Sequence, residues 1–350
     1  MTTYQNPVWR GYFADPFVMR VPNEQTGDGL WFYAYGTGAT EAEGRAGIAG
    51  TPRAFPVLRS RDLAAWEYVG GALELLPDMP GATYWAPEVA YRDGTYYMYY
   101  SAGVGNSTGA AHEQHRLRVA RAENPAGPFR DCGTYLFPDL PFSIDAHPFC
   151  DPADGQWYLF FAQDYFDGRV GTGTAVVRLA DDMIHTSGEI VPAIRASNDW
   201  QIHARDRSNY GKIWDAWHTV EGAFVVLRDG LYYCFYSGGA WTGPDYGVGY
   251  GVAEHPLGPW RDGAAAGASV LTGVPGKVLG PGHNSVVLGA DGATQYVCYH
   301  AWDVARTARR LCIDPLAWVP DGAGGVAPRC LGPTTEPQPI PRTDTAPTHP

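Results

Sequence analysis

Short apolar runs that meet at an Asp-Gly turn recur along the chain. Residues 85–101 align without a gap with residues 221–237, and each segment is an apolar run, an Asp-Gly pair and an aromatic run. An Asp-Gly pair between two runs of this kind is a strong signal for a β-hairpin. The pattern therefore predicts one hairpin that occurs at least twice.

Three more copies follow the same plan, at residues 15–37, 145–162 and 283–300. A further pair of strand-like runs comes after the hairpin, as in 116–120 with 127–129. Four strands per repeat is the unit of a propeller blade. We therefore expect an all-β fold, a five-bladed β-propeller with about four antiparallel strands per blade and the active site in the central cavity. A β-sandwich would not explain five similar hairpins, and a β-helix has far shorter coils.

The repeats leave no internal boundary between domains. We expect a single catalytic domain over residues 1–332, followed by a Pro/Thr-rich tail, residues 333–350, that is extended or disordered.

Composition narrows the possible partners. The chain of 350 residues is 45% hydrophobic and carries a net charge of −12 without a Lys/Arg run, which argues against nucleic acid and anionic membranes as partners. No apolar stretch approaches the roughly 18 residues that span a bilayer. The N-terminus lacks a basic segment followed by an apolar one, so a cytoplasmic protein is expected, although a secreted chain trimmed of its leader would look the same. The oligomeric state stays open.

Six cysteines occur without any C-x-x-C pair, which disfavours a zinc site. Cys234 and Cys298 lie inside apolar runs, where a reduced cysteine behaves as a small hydrophobe. We expect buried free thiols rather than disulfides.

Chemically active side chains stand at the start of the five repeats. If the innermost strand of each blade lines the channel, residues at one repeat position point into one cavity. That position reads Asp15, Trp85, Asp145, Glu221 and His283. Each residue alone could be a turn or surface residue, but their shared position favours an active site.

Three carboxylates suit glycoside hydrolysis. This reaction needs one protonated and one ionised carboxyl group across the scissile bond. A third carboxylate nearby would raise the pKa of the acid. Trp85 offers a flat face for a sugar ring, or else it is a core residue that lines the channel.

The chain resembles glycoside hydrolase family 43 over nearly its whole length, through six segments in the family's order. The matching segments are 14–18 (Ala-Asp-Pro-Phe-Val), 84–88, 144–145, 217–222, 280–285 and 309–318. Two positions depart from the pattern, since Ala146 and Ala223 stand where many members have Pro. Neither departure removes a catalytic group, but both weaken assignment to one subfamily and its sugar.

The resemblance implies hydrolysis with inversion and no cofactor for the chemistry. Asp15 would be the general base, Glu221 the general acid, and Asp145 the residue that modulates the pKa of Glu221 and orients it. Inverting enzymes keep acid and base about 6.5–9.5 Å apart, whereas a separation near 5 Å would indicate a retaining enzyme.

Other site residues follow from the same resemblance. A structural Ca²⁺ could sit in the central channel beside His283, held through waters; alternatively, His283 contacts sugar or a carboxylate. Arg309 or Arg310 is expected to bind a sugar hydroxyl, while the other pairs with surface acids.

Family members cleave α-L-arabinofuranosides, β-D-xylosides or α-1,5-arabinan. Two long connections, residues 40–54 and 196–217, could wall the cavity into a pocket, and the second carries Trp200, His203, Arg205, Arg207, Tyr210 and Trp214. A pocket favours exo action on an oligosaccharide. We therefore expect an α-L-arabinofuranosidase acting on oligosaccharides from arabinan or arabinoxylan, with β-D-xylosidase second and endo-α-1,5-L-arabinanase third.

Two hypotheses of another kind stay open. A non-catalytic carbohydrate-binding propeller would have no need of three carboxylates at equivalent positions. A retaining fructosidase would share the fold, but such enzymes usually have Asn before the first Asp, and here Ala14 precedes Asp15.

Overall fold

Strands account for nearly all regular structure in the computed structural model, which describes residues 2–38, 53–104, 115–263 and 267–340. The strands in chain order are β1 (Thr2–Tyr4), β2 (Ala14–Val21), β3 (Trp31–Thr37), β4 (Arg53–Ser60), β5 (Trp66–Glu74), β6 (Ala82–Arg92), β7 (Thr95–Val104), β8 (Arg116–Ala122), β9 (Arg130–Tyr135), β10 (Ser143–Cys150), β11 (Trp157–Tyr165), β12 (Gly171–Leu179), β13 (Thr186–Pro192), β14 (Ile202–Asn209), β15 (Lys212–Arg228), β16 (Leu231–Gly238), β17 (Gly247–Ala253), β18 (Arg261–Asp262), β19 (Leu279–Leu288), β20 (Gln295–Trp302), β21 (Arg309–Pro320), β22 (Val326–Cys330) and β23 (Gln338–Ile340). The described residues also include two short helical segments, α1 (Asn23–Thr26) and a 3-10 turn (Asp199–Gln201).

The strands pair as consecutive antiparallel series. Strands β2–β5, β6–β9 and β19–β22 each form a four-stranded sheet, and a nine-stranded sheet contains the series β10–β13 and β15–β18. These last two series are joined by two parallel residue pairs between β12 and β15. The first strand of each series contacts the first strand of the next, and β19 contacts β2. The first strands therefore surround one axis, which is the arrangement of a propeller hub.

Every first strand has a β-bulge, shown by a shift in register against its neighbour; in β15 the bulge lies in the middle of the strand, and in the others it lies closer to the start. In each bulge one residue has a left-handed backbone; these residues are Asp15 (φ 50°), Ala86 (φ 45°), Asp145 (φ 56°), Gly222 (φ 59°) and His283 (φ 48°). A bulge bends a strand and re-aims its side chains. Non-glycine residues with positive φ are uncommon and cluster at functional sites. The bulges mark the end of the hub where chemistry is concentrated.

The register corrects one prediction, namely that Asp15, Trp85, Asp145, Glu221 and His283 share one repeat position. Pairing to the second strand makes Trp85 and Glu221 equivalent to Ala14, Ile144 and Gly282, one residue before the left-handed position. The hairpins differ in length, so residues at the same distance from their Asp-Gly turns, such as Glu221 and His283, are one position apart in the register. The prediction of a single position is therefore wrong, although the bulge still brings both positions toward the hub.

Side chains on the second strands bond to the left-handed residues of the next series. Each accepts a hydrogen bond from a backbone N–H: Thr37 from Ala86 (2.8 Å), Ser101 from Asp145 (3.2 Å), Ser237 from His283 (2.7 Å) and His300 Nδ1 from Asp15 (3.1 Å). Because a buried N–H without a partner is costly, these bonds hold the strained bulges in place.

Aromatic and aliphatic side chains fill the space between neighbouring sheets. Between the third and fourth series, Phe149, Phe160, Val220, Tyr232 and Tyr236 form one buried cluster. Burying each such side chain contributes roughly 1.5–3 kcal/mol before the entropy of ordering is counted. This packing makes the first strands a rigid support for the site.

The two ends of the described chain meet. Strand β1 pairs with β23, with Thr2 opposite Ile340. Nearby, the Tyr4 hydroxyl donates to Asp314 Oδ1 (3.1 Å), and Asn6 Nδ2 donates to the Ile313 carbonyl (2.8 Å). Part of the predicted tail is thus extended and paired at residues 338–340, while residues 341–350 lie outside the described residues.

The two long connections that were predicted to wall the cavity, residues 40–54 and 196–217, differ in how much of them the structure describes. Residues 40–52 of the first lie outside the described residues. The second, predicted as a long connection, is largely a hairpin in which β14 pairs with the first part of β15. A hairpin holds its side chains more firmly than an irregular loop.

All six cysteines are free, and Cys234, Cys298, Cys312 and Cys330 are buried. Within the described ranges, neither helical segment has the length and apolar character needed to cross a membrane.

Candidate active site

Asp15 lies buried at the hub among three basic side chains. Its Oδ1 accepts a hydrogen bond from Arg309 Nη1 (3.0 Å), and the Nδ1 atoms of His300 and His283 lie 3.2 and 3.4 Å from the same oxygen. Burial alone would raise the pKa of Asp15, but the charge of the Arg309 guanidinium outweighs it and holds this pKa well below its ordinary value. Asp15 is therefore a carboxylate at neutral pH.

The pKa of Glu221 is shifted in the opposite direction from that of Asp15. Burial and the negative charge of Asp15 raise its pKa from 4.5 to about 7, although hydrogen bonding to Tyr246 and the charges of Arg309 and Arg207 oppose the shift. The Tyr246 hydroxyl donates to Glu221 Oε1 over 2.7 Å. The Tyr246 ring stacks on His300 with centroids 5.9 Å apart, and His300 in turn contacts Asp15. Glu221 and Asp15 are thus linked by a short run of contacts, and between their two pKa values Glu221 is protonated while Asp15 is ionised.

Asp145 is the third buried carboxyl group. Burial, Glu221 and Asp15 raise its pKa well above the ordinary value, and the nearby Gly222 backbone N–H opposes this rise. Because repulsion between two charges is mutual, ionisation of Asp145 favours the protonated form of Glu221. The pair therefore holds a proton near neutral pH while Asp15 carries the negative charge.

Trp85 stands at the bulge of β6 and is partly exposed. Its ring stacks on His115 with centroids 3.3 Å apart, and it packs against Phe142, Ile144 and Ala162. One face is therefore fixed by packing. This arrangement agrees with either alternative for Trp85, a sugar platform or a channel-lining residue.

His283 contacts two carboxyl groups, since its Nδ1 lies 3.4 Å from Asp15 Oδ1 and 3.9 Å from Asp145 Oδ2. Burial and the Arg309 charge lower its pKa despite the opposing charge of Asp15, so the imidazole is neutral at pH 7. Gly222 faces this ring, and a Cβ at residue 222 would lie 3.2 Å from it. A larger residue at position 222 would therefore press on His283.

The calcium prediction needs a set of oxygen donors, because Ca²⁺ takes six to eight of them. Across the described residues, no group of three or more His, Cys, Asp or Glu side chains is placed to hold a metal ion. The residues beside His283 do not form a calcium site by themselves, so no catalytic step is assigned to an ion.

Arg309 and Arg310 face opposite ways, as neighbours on a strand do. Arg309 is buried in the site, donates to Asp15 and to the Tyr12 hydroxyl (2.8 Å), and stacks over Trp241 at 4.4 Å. Arg310 pairs instead with Asp303 (3.0 Å). The structure thus places Arg309 at the carboxylates and corrects the alternative that Arg310 reaches the cavity.

The hairpin before Glu221 contributes one charge to the site. Arg207 lies 5.6 Å above the Trp217 ring and interacts electrostatically with Asp164 and Glu221. Trp200 instead packs on Tyr236, at a centroid distance of 6.1 Å, as part of the protein interior. This predicted wall segment therefore packs partly in the protein core, through Trp200, and lies partly near the acid, through Arg207.

Three site residues were not identified from the sequence: Tyr246, His300 and Glu88. Tyr246 follows a turn and carries no motif. His300 ends its repeat copy at the position held by Ser101 and Ser237 in two others, so an alignment of second strands would have singled it out. Glu88 is buried and bonds to His147 Nδ1 (2.7 Å).

His147 connects Glu88 to the fourth series. Its Nε2 accepts the Val225 backbone N–H (3.0 Å), so Nδ1 carries the proton and donates to Glu88. Burial raises the pKa of Glu88, and the neighbouring His147 opposes this shift. The pair lies behind Asp145 and supports the strands that carry the carboxyl groups.

The chain is similar in sequence and structure to known glycosyl hydrolases. The family model described as Glycosyl hydrolases family 43 matches residues 4–323. Beta-D-galactofuranosidase xynD of Aspergillus niger is 29% identical over 92% of this chain and 84% of its own length. Probable arabinan endo-1,5-alpha-L-arabinosidase C of Aspergillus clavatus is 27% identical over 64% of this chain and 67% of its own length. The crystal structure of a thermostable family-43 glycoside hydrolase aligns with a TM-score of 0.78 and 32% identity, over 98% of this chain and 100% of that one.

Proposed function

Because the chain belongs to glycosyl hydrolase family 43 and is a glycosidase with a β-propeller fold, we propose that it is an inverting enzyme with Asp15 as the general base and Glu221 as the general acid. The resemblance seen in the sequence motifs is confirmed. The observation that carries the proposal is that two carboxyl groups at the hub have opposite surroundings, since Asp15 is paired with the Arg309 guanidinium and Glu221 accepts a hydrogen bond from the neutral Tyr246 hydroxyl. The pKa of Asp15 is held well below its ordinary value, while that of Glu221 is raised to about 7.

The chemistry follows from these protonation states. Asp15 accepts a proton from a water molecule as the water oxygen bonds to the anomeric carbon. Glu221 donates its proton to the glycosidic oxygen as the bond between that oxygen and the anomeric carbon breaks. Proton exchange with solvent then returns Asp15 to the ionised form and Glu221 to the protonated form.

Arg309 and Asp145 prepare the two groups for these roles. Arg309 compensates the charge of Asp15 and fixes the direction of its carboxylate through a bond of 3.0 Å. Asp145 shares a proton with Glu221, and its ionised form keeps that proton on Glu221. Both residues act through their neighbours and are positioning residues in this proposal.

For the architecture we propose five blades within one catalytic domain. Five series of consecutive antiparallel strands and a ring of contacts among β2, β6, β10, β15 and β19 support it. The pairing of β1 with β23 ties the two ends of this domain together.

For the substrate we propose a furanoside, and first an α-L-arabinofuranoside at the non-reducing end of an oligosaccharide. Among the similar proteins, one is named a galactofuranosidase and another an arabinan endo-arabinosidase, and both names refer to five-membered sugar rings. The partly exposed Trp85 and the cation Arg207 near Glu221 supply an apolar face and a hydrogen-bond donor at the cavity. β-D-Xylosides and α-1,5-arabinan are the alternatives.

The test is proton NMR of the products formed from nitrophenyl α-L-arabinofuranoside, β-D-galactofuranoside and β-D-xyloside, together with arabinan oligosaccharides. We expect the arabinofuranoside to be cleaved fastest and its first product to have the inverted anomeric configuration. A product of retained configuration would refute inversion. Binding without release of sugar from any member of the panel would favour a carbohydrate-binding protein instead.

Variants separate the roles of the two carboxyl groups. Asp15→Asn should lower kcat about 10²–10⁴-fold with every leaving group, because water activation is lost. Glu221→Gln should lower kcat strongly with a poor leaving group and little with dinitrophenolate, which departs without a proton. Equal losses on both substrates would refute Glu221 as the acid.

A further inference from the structure

An aromatic cluster stands on the rim of the hub, at the end that carries the catalytic carboxyl groups. Strand β10 has Asp145 near its start and β11 runs the opposite way, so the connection from β11 to β12, residues 166–170, lies at this end. The β14–β15 hairpin lies there too, because His218 in β15 pairs with Gly171 at the start of β12. The two segments are therefore neighbours on the rim between the third and fourth series.

Phe166 joins these two segments. The centroid of its ring lies 4.9 Å from that of Tyr210, 6.0 Å from that of Trp214 and 6.4 Å from that of Trp217. Trp217 is buried under the cluster, whereas Phe166 is 47% exposed and Trp214 is half-buried. Phe166, Tyr210 and Trp214 thus form a surface, the rim platform, that presents aromatic faces to solvent on a buried base.

Polar contacts hold the rim platform in place. The Tyr210 hydroxyl donates to Asp164 Oδ2 over 2.7 Å, and the Lys212 ammonium lies 3.9 Å from the centroid of the Trp214 ring. A second cation, Arg207, lies 5.6 Å from the centroid of the buried ring beneath. Fixed aromatic faces with N–H donors at their edge lose little entropy on binding, and they match a sugar, which has apolar faces and hydroxyl groups around its ring.

The rim platform lies beside the acid and across the hub from the base. Trp217, beneath the platform, is four residues before Glu221 in β15, which is about 13 Å along a strand. The third and fourth series meet where β10 contacts β15, whereas the neighbours of β2, which carries Asp15, are β6 and β19. Because the acid protonates the oxygen of the departing part of the substrate, that part extends from Glu221 toward the platform.

We infer that the rim platform binds the departing chain of an oligosaccharide substrate, beyond the first sugar that follows the cleaved bond. The inference rests on the proposed function of Glu221 as the acid. A span of about 13 Å exceeds the reach of one sugar ring from the glycosidic oxygen, so a nitrophenyl glycoside or a disaccharide leaves the platform empty. The substrate class is therefore an oligosaccharide of three or more sugars.

The experiment measures kcat/KM on α-1,5-arabino-oligosaccharides of two to five sugars, for the parent protein and for Phe166→Ala. If the nitrophenyl panel selects xylose, β-1,4-xylo-oligosaccharides take their place. The parent should gain in kcat/KM with each sugar beyond the second. The ratio of kcat/KM on the pentasaccharide to that on the disaccharide should fall about 5–10-fold in Phe166→Ala, the effect of losing about 50 Å² of buried apolar surface.

Two further variants separate binding by the platform from a general effect of removing an aromatic ring. Tyr135→Ala is the matched control, because Tyr135 is an exposed aromatic residue on the outer strand β9 and has Arg118 over its ring at 4.6 Å. This control should leave the ratio unchanged. Trp214→Leu removes a second ring of the platform and should lower the ratio in the same direction as Phe166→Ala.

Three results would overturn the inference: a parent protein that gains nothing from longer substrates, a ratio that is the same in Phe166→Ala as in the parent, or a ratio that falls equally in Tyr135→Ala. An inactive parent would refute the proposed function instead. Calorimetric titration with the pentasaccharide would then decide the role of the platform. A Kd about 5–10-fold weaker in Phe166→Ala would support it, and an unchanged Kd would overturn it.

Discussion

Replacing Tyr246 with Phe tests how the acid is tuned. The substitution removes the hydroxyl that donates to Glu221 Oε1 over 2.7 Å and keeps the ring that stacks on His300. A donor to the carboxylate favours ionisation, so its loss must raise the pKa of Glu221 above the present value of about 7.

The magnitude follows from the burial of this hydrogen bond. A bond to a charged group contributes roughly 1.5–3 kcal/mol, which equals about 1–2 pKa units. The lower end is expected here, because protonated Glu221 can donate to the same phenol oxygen and regain part of the interaction. The basic limb of the kcat profile should therefore move up by about one pH unit.

The assay is kcat against pH between 5 and 10 on a nitrophenyl furanoside. Tyr299→Phe is the matched control, because the Tyr299 hydroxyl also donates to a buried carboxylate over 2.7 Å, that of Asp314, away from the catalytic groups. This control should leave the limb in place. A limb that stays fixed or moves to lower pH in Tyr246→Phe would refute the proposed role of Glu221 as the titrating acid.

The remaining predictions concern binding and stability. Arg309→Ala should lower kcat/KM at least about 100-fold and destabilise the fold by leaving a buried carboxylate unpaired, whereas Arg310→Ala should change kcat/KM less than about twofold; similar losses would contradict their opposite orientations. Glu88→Ala should cost about 1–3 kcal/mol in urea unfolding because it leaves a buried His147 N–H without a partner, while Glu88→Gln keeps an acceptor and should cost less. Glu221→Gln should stabilise the protein at pH 8 but not at pH 4: the native pKa of about 7 exceeds the ordinary 4.5, so stability is lost as pH rises between these values, by at most about 3 kcal/mol. Unfolding curves of both proteins that differ equally at the two pH values would contradict this assignment.

The hairpins were predictable because their signals are local. An Asp-Gly pair and alternating aromatic positions fix a turn and two strands without reference to the rest of the chain. The carboxyl groups were predictable for a related reason, since Asp15, Asp145 and Glu221 stand near the start of repeated segments.

The fine register was not predictable in the same way. Whether Glu221 or Gly222 corresponds to Asp15 depends on where each bulge lies, and the hairpins differ in length by a residue or more. The choice between Arg309 and Arg310 depends on the phase of β21 against β20, which a one-residue slip would reverse.

The contacts of Tyr246 and His300 depend on neighbouring series rather than on local sequence. His300 bonds to Asp15 at the other end of the chain, and no local pattern reports such a contact. The residues that end the five repeat copies nevertheless carried a usable signal, because Thr37, Ser101, Ser237 and His300 can all accept a hydrogen bond and Ala162 cannot.

The antiparallel pairing of Thr2 with Ile340 puts the first and last strands of the described residues side by side. A circular permutant that joins residue 340 to residue 2 through a short turn and opens the chain at the exposed Asp154-Gly155 turn should therefore retain every catalytic contact. In such a molecule β1 and β23 would become one hairpin, and a pairing that now joins two strands from opposite ends of the sequence would be fixed by a short covalent connection.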